Sequence, residues 1–213
     1  MADEPSFDDS GIAGLEPGRV VLLVGPSGAG KDAVLLEVRR RLASCARFKF
    51  PRRVVTRQPS AAEDHDCVSA LEFLAQLKQG RFALHWQAHG LSYGIPVEID
   101  AWICGGGSVV FNASRSVIAR ARTRYRHAAV VLIDAPVELR ARRLANRGRE
   151  RANDLAARLA RASDFQPADA ELVIENTGPL TAAVGTLLDW LLAWGYGTPS
   201  ASRSRRTQAV CRD

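Results

Sequence analysis

The sequence is poor in lysine, has no paired cysteines and lacks long apolar runs. Three of its 29 basic residues are lysines (Lys31, Lys49 and Lys78), so arginine carries nearly all the positive charge. The four cysteines, Cys45, Cys67, Cys104 and Cys211, are scattered without a C-x-x-C pair. That pattern argues for reduced thiols in a cytosolic protein rather than a disulfide frame or a zinc site. No apolar stretch approaches the roughly 20 residues of a membrane span. The N-terminal "MADEPSFDDS" is acidic and has no apolar signal core. A cytoplasmic protein without membrane contact is therefore expected.

The net charge is +6. A basic protein can be a nucleic-acid binder. Guanidinium groups also match phosphate oxygens bidentately, so a small polyanionic substrate explains the arginine bias as well. The arginines cluster where a phosphate site needs them, and nucleic acid is not the expected partner. The sequence leaves the oligomeric state open, a homodimer being one option.

A length of 213 residues suits one compact domain with a small inserted lobe. Residues 1–17 are acidic and rich in Asp, Ser and Gly, and read as a disordered segment. Residues 198–213 are rich in Ser and Arg and read as a flexible basic tail. Between them, over 18–197, short apolar runs alternate with helical patterns. "RVVLLVG", "SVVFNA", "AVVLIDA" and "ELVIEN" read as buried strands. "KDAVLLEVRRRLA" reads as an amphipathic helix with Val34, Leu35, Val38 and Leu42 on one face. "PVELRARRLANRG" is a helix that starts at Pro136 and stops at Gly148, and "PLTAAVGTLLDWLLAWG" is the closing helix. This alternation predicts an α/β fold with a parallel sheet of about five strands flanked by helices. The rhythm breaks over about 52–94, where a short helix, "VSALEFLAQLKQG", precedes the hairpin "RFALHWQAHGLSYG". These residues read as an inserted substrate-binding lobe.

"GPSGAGKD" nearly matches the phosphate-loop pattern G-x-x-x-x-G-K-S/T, with Asp32 in the last place. The loop comprises Gly25, Pro26, Ser27, Gly28, Ala29, Gly30, Lys31 and Asp32. A glycine-rich turn between a strand and a helix aims backbone N–H groups and the helix N-terminus at phosphates. Lys31 then reaches the β- and γ-phosphates of ATP. A carboxylate beside phosphates is repelled, by ~1 kcal/mol at 4 Å in water and ~4 kcal/mol at an effective dielectric of 20. A Mg2+ ion between the two reverses that sign, so Asp32 is a candidate magnesium ligand. Its bland alternative is stabilisation of the helix dipole.

"LRARRLANRGRERANDLAARLARA" gathers eight arginines. They form either a solvated helical face or a helical lid, about 142–158, that closes on the transferring phosphoryl group. Arg147 and Arg149 sit at the break between two helices and Arg158 follows, so these three are the lid candidates. In the lobe, Arg57 ends an extended segment and is suited to a substrate phosphate, with Arg53 close by. Tyr93 can donate its hydroxyl to a phosphate, or can be a half-buried hairpin aromatic. His65 lies in a polar run, as a substrate contact or a plain surface histidine. Arg115 of "NASR" follows a strand.

These blocks, "GPSGAGKD", "RRVVTR", "EDHDCVSALEF", "FALHWQAHGLSYGIPVEIDAW", "VVFNASR" and "RGRE", run in order from about Arg19 to Trp194. Together they resemble the guanylate kinase-like branch of the P-loop kinases, and more closely its ribose 1,5-bisphosphate phosphokinase family, of phosphonate metabolism. In that family the loop is written with Asp, so Asp32 is in pattern. The resemblance implies an ATP-dependent phosphotransferase that converts ribose 1,5-bisphosphate to 5-phosphoribosyl 1-diphosphate. The role of Arg115 as a further substrate contact is implied only by this resemblance. Guanylate kinase itself reads guanine with a Glu in the hairpin and a hydroxyl residue after "YG". Here those places hold Leu84 and Ile95, and Asn112 stands where related kinases often carry an Asp near magnesium. The alternatives are a guanylate kinase-like nucleoside monophosphate kinase and a non-catalytic binding module of the same fold. An intact phosphate loop argues against the module.

Overall fold

The computed structural model describes residues 18–57, 65–88, 90–145 and 169–194. In chain order its elements are β1 (Arg19–Val24), α1 (Lys31–Arg41), β2 (Phe48–Lys49), β3 (Arg53–Val55), β4 (His65–Cys67) and α2 (Ala70–Lys78). There follow β5 (Phe82–Ala88), β6 (Leu91–Pro96), α3 (Ile99–Cys104), β7 (Ser108–Asn112) and α4 (Ile118–Arg124). The last are β8 (Ala128–Asp134), α5 (Val137–Ala145), β9 (Leu172–Glu175) and α6 (Leu180–Trp194).

Five strands form one sheet in the order β2-β7-β1-β8-β9. Every pair in it is parallel. Parallel strands are joined through helices, which cover both faces of the sheet and bury it. The central strand, β1, shows the consequence: all six of its residues are buried. Side chains alternate between the two faces. Val20, Leu22 and Val24 pack with Val109, Phe111 and Leu132 on one side. Val21 and Leu23 pack with Val34, Val38, Ile133 and Leu187 on the other. The uninterrupted apolar reading of "RVVLLVG" is thus a strand with two buried faces.

A second sheet has the order β4-β3-β6-β5. β5 and β6 form an antiparallel hairpin, with Leu84 opposite Ile95 and Trp86 opposite Tyr93. β3 lies antiparallel to β6 and parallel to β4. Phe82 is stacked on Phe73 of α2 at 4.7 Å. The helix α2 is closed by a capping box, in which Ser69 Oγ accepts from the Glu72 amide and Glu72 accepts from the Ser69 amide. Leu84, Trp86 and Ile95 join the same core cluster as β1, so the two sheets share one apolar interior.

Candidate active site

The phosphate loop leaves the C-terminal end of β1 and enters α1, at the edge of a parallel sheet where ligands of such folds bind. All three of its glycines are required by space as well as by backbone angle, Gly28 at φ 81° because a Cβ there would lie 2.8 Å from the Arg140 carbonyl oxygen. Gly25 has φ 147°, and a Cβ there would lie 2.0 Å from the Ile133 carbonyl oxygen of β8. Gly30 has φ 95°, and its Cβ would lie 2.4 Å from Nδ2 of Asn176. The first turn of α1 has no side-chain cap hydrogen bond. Its amides and partial positive charge are therefore directed at whatever anion the loop holds. Lys31 Nζ donates to the carbonyls of Gly25 at 2.7 Å and Pro26 at 2.9 Å, which folds the ammonium back over the loop.

Two residues from distant elements clamp the rear of the loop. Asn176, just beyond β9, is buried and donates from Nδ2 to the Ala29 carbonyl at 2.8 Å. Arg143 of α5 donates to the same carbonyl at 3.4 Å and to the Asn176 carbonyl at 2.9 Å. Arg140, one turn earlier, is buried beneath Gly28. None of these three was singled out as a site residue from sequence. Helical period places Arg140 in line with buried Leu144, and that was the available signal.

The front of the loop faces the second sheet. Asp32 Oδ1 accepts from Asn112 Nδ2 at 2.6 Å and from Arg53 at 3.3 Å. Asn112 is buried at the end of β7, and its Oδ1 has no hydrogen-bond partner among the described residues. The Arg53 guanidinium also lies 6.0 Å from the centre of the Tyr93 ring. That ring stacks on Trp86 at 5.3 Å with the planes 5° apart. Asp32, Asn112, Arg53 and Tyr93 thus meet in one place, although they are up to 80 residues apart in sequence.

The remaining candidates fall less evenly. Arg57 is half-buried two residues beyond β3, its amide bonded to the Val55 carbonyl at 2.9 Å. Arg115 is half-buried at the start of the 3-10 turn that follows β7. His65 departs from expectation. It is neither in a loop nor on the surface, but buried at the start of β4 opposite Arg53. Strand pairing, which the polar composition of its surroundings concealed, puts it there. Arg147, Arg149 and Arg158, with lid residues 146–158, lie outside the described residues. Residues 142–145 belong to α5, with Leu144 in the core. His85 on the hairpin has its pKa lowered by burial and, secondarily, by the charge of Arg120. Among the described residues no group of three His, Cys, Asp or Glu side chains could hold a metal ion. No described helix is long and apolar enough to cross a membrane.

No family model matches the chain. Curated relatives do. A ribose 1,5-bisphosphate phosphokinase from Methylobacterium radiotolerans is 48% identical over 177 residues, covering 83% of this chain and 99% of the relative. The enzyme of that name from Acidiphilium cryptum is 50% identical over 175 residues, covering 82% and 93%. A third, from Brucella melitensis, is 45% identical and covers 82% and 92%. Among solved structures, guanylate kinase from Anaplasma phagocytophilum superposes with a TM-score of 0.65 at 20% identity, covering 86% of this chain and 89% of that one. The structural likeness shows a guanylate kinase-like fold, and the sequence identity goes further: the chain belongs to the ribose 1,5-bisphosphate phosphokinase family.

Proposed function

We propose that this chain transfers the γ-phosphoryl group of ATP to ribose 1,5-bisphosphate, giving ADP and 5-phospho-α-D-ribose 1-diphosphate. An oxygen of the C1 phosphate attacks the γ-phosphorus. The bond from that phosphorus to the β,γ-bridging oxygen breaks, and ADP leaves with the electron pair. The nucleophile is already anionic near neutral pH, so no general base is required. The work is to hold two polyanions in line and to neutralise developing charge.

The loop amides and Lys31 suit the ATP phosphates. Arg53, Arg57, Tyr93 and Arg115 are assigned to the acceptor. His65, being buried, is assigned to support Arg53 across the strand pair. Arg147, Arg149 and Arg158 are assigned to the transferring group. The oxygen chemistry beside the loop fits Mg2+, since the Asp32 carboxylate is exposed and the neighbouring Asn112 Oδ1 is an acceptor without a partner among the described residues. Hard oxygen donors of this kind, completed by phosphates and water, are what that ion takes. When bound, the ion would neutralise phosphate charge in the transition state.

The single observation that carries the acceptor's identity is the pair Leu84 and Ile95. They face each other across the hairpin and are 3% and 0% exposed. Core side chains at both places offer a nucleobase no polar contact, and each unpaired base edge would cost about 1–3 kcal/mol. That favours a base-free sugar phosphate over GMP. The test is an ADP-release assay with ribose 1,5-bisphosphate, GMP, AMP and gluconate as acceptors. Phosphorus NMR identifies the product. Turnover of the bisphosphate with a new diphosphate signal is expected. Turnover of GMP alone would establish the nucleoside monophosphate kinase instead.

A further inference from the structure

Arg140 is buried, with 2% of its surface exposed. Its Nε donates to the Ala135 carbonyl at 3.0 Å. Its Nη1 is enclosed and has no hydrogen-bond partner among the described residues. No carboxylate among the described residues is within ion-pair distance of it. The root of the side chain lies against the phosphate loop. A Cβ added at Gly28 would meet the Arg140 carbonyl oxygen at 2.8 Å and its Cα and Cβ at 3.1 Å. A guanidinium keeps its proton in any protein environment, so the charge is permanent. Burying such a charge without an acidic partner is unfavourable, and an apolar side chain of similar volume is often neutral or stabilising in its place. Holding Ala135 by one hydrogen bond does not require a cation.

We infer that Arg140 is a fixed positive charge behind the phosphate loop, which strengthens polyphosphate binding in proportion to the ligand's charge and destabilises the ligand-free fold. It is a positioning residue: it acts through the loop it packs against. Protein around it has a low effective dielectric, so the field reaches the loop's anion with little screening. The inference rests on the reading of residues 25–32 as the ATP loop.

The test uses the full chain and the variants Arg140→Met, Arg140→Gln and Arg140→Lys. Affinities for ATP, ADP, AMP and adenosine are measured without magnesium, by competition with a fluorescent ATP analogue. Thermal unfolding is recorded for each ligand-free protein. In Arg140→Met and Arg140→Gln, ATP should bind roughly tenfold more weakly, ADP less so, and adenosine within about twofold of wild type. Ligand-free Arg140→Met should melt at or above the wild-type temperature. Arg140→Lys, which keeps the charge, should keep the wild-type ratio of ATP to adenosine affinity, and it tests the idea even if the neutral variants do not fold. Equal weakening of all four ligands, or loss of the ratio in Arg140→Lys, would overturn the inference. A wild-type chain that binds no ATP would remove the nucleotide reading beneath it.

Discussion

At the scale of single residues, the loop is governed by steric room and by charge. Gly25 sits where β8 passes, and no side chain fits beside the Ile133 carbonyl. Gly25→Ala should therefore abolish ATP binding in calorimetry and lower the melting temperature. Asp32 carries a second prediction. Asp32→Asn keeps the size and a hydrogen-bonding group but removes the charge. At saturating ATP, the magnesium concentration for half-maximal activity should rise by about tenfold, on the scale of one lost charge contact. An unchanged magnesium midpoint would sink the metal assignment. Lys31→Ala should reduce kcat by about 10²–10³, as removal of a preorganised charge does elsewhere.

At the scale of elements, the β5–β6 hairpin contributes to stability and, in the proposed function, to recognition. Trp86 is 5% exposed and carries the Tyr93 ring. Trp86→Ala should cost about 3–5 kcal/mol in urea unfolding, from lost burial and the cavity left behind. Tyr93→Phe keeps the stack and removes the hydroxyl. It should raise KM for the sugar phosphate several-fold while leaving KM for ATP and the unfolding midpoint unchanged. Much of this element was legible beforehand, because Leu84 and Trp86 alternate before the Gly90 turn. The pairing of β3 with β4 was not, since three-residue strands carry too little pattern to be distinguished from loop. That is why the buried place of His65 in β4 is not visible in the sequence.

At the scale of the whole molecule, a polar cluster of buried Tyr125, half-buried Asp100 and exposed Arg124 links α3 to the end of α4. Tyr125 is buried, and its hydroxyl donates to Asp100 Oδ1 at 2.6 Å and accepts from Arg124 Nε at 3.1 Å. Arg124 also pairs with Asp100. Burial, and then the hydrogen bond to Asp100, push the Tyr125 pKa well above 10. A group with a raised folded pKa contributes stability that is fully present below its unfolded value. That contribution is lost as pH rises through the interval up to the folded value, at a slope of up to about 1.4 kcal/mol per pH unit. Wild-type stability should therefore fall more steeply above pH 10 than that of Tyr125→Phe, as read by urea unfolding across that range. Parallel pH profiles for the two proteins would refute the assignment.

The sequence by itself determined the β1 strand, the phosphate loop, the long terminal helix and the family. Each of these is encoded locally, by apolar runs, by helical period or by glycines at fixed spacing. It also marked Leu84 and Ile95 as apolar where a guanine site needs polar groups. Only the tertiary structure decided which arginines lie against the loop. Arg140 and Arg143 sit three residues apart in a run of arginines that look alike in sequence, yet one is buried beneath Gly28 and the other holds Ala29 and Asn176. The meeting of Asp32 with Asn112 and Arg53 is likewise a product of strand order, because β7 lies beside β1 and β3 belongs to the second sheet. Local pattern specifies what an element is. Which side chains an element presents to a distant loop depends on how the sheets assemble, and that is fixed by packing alone.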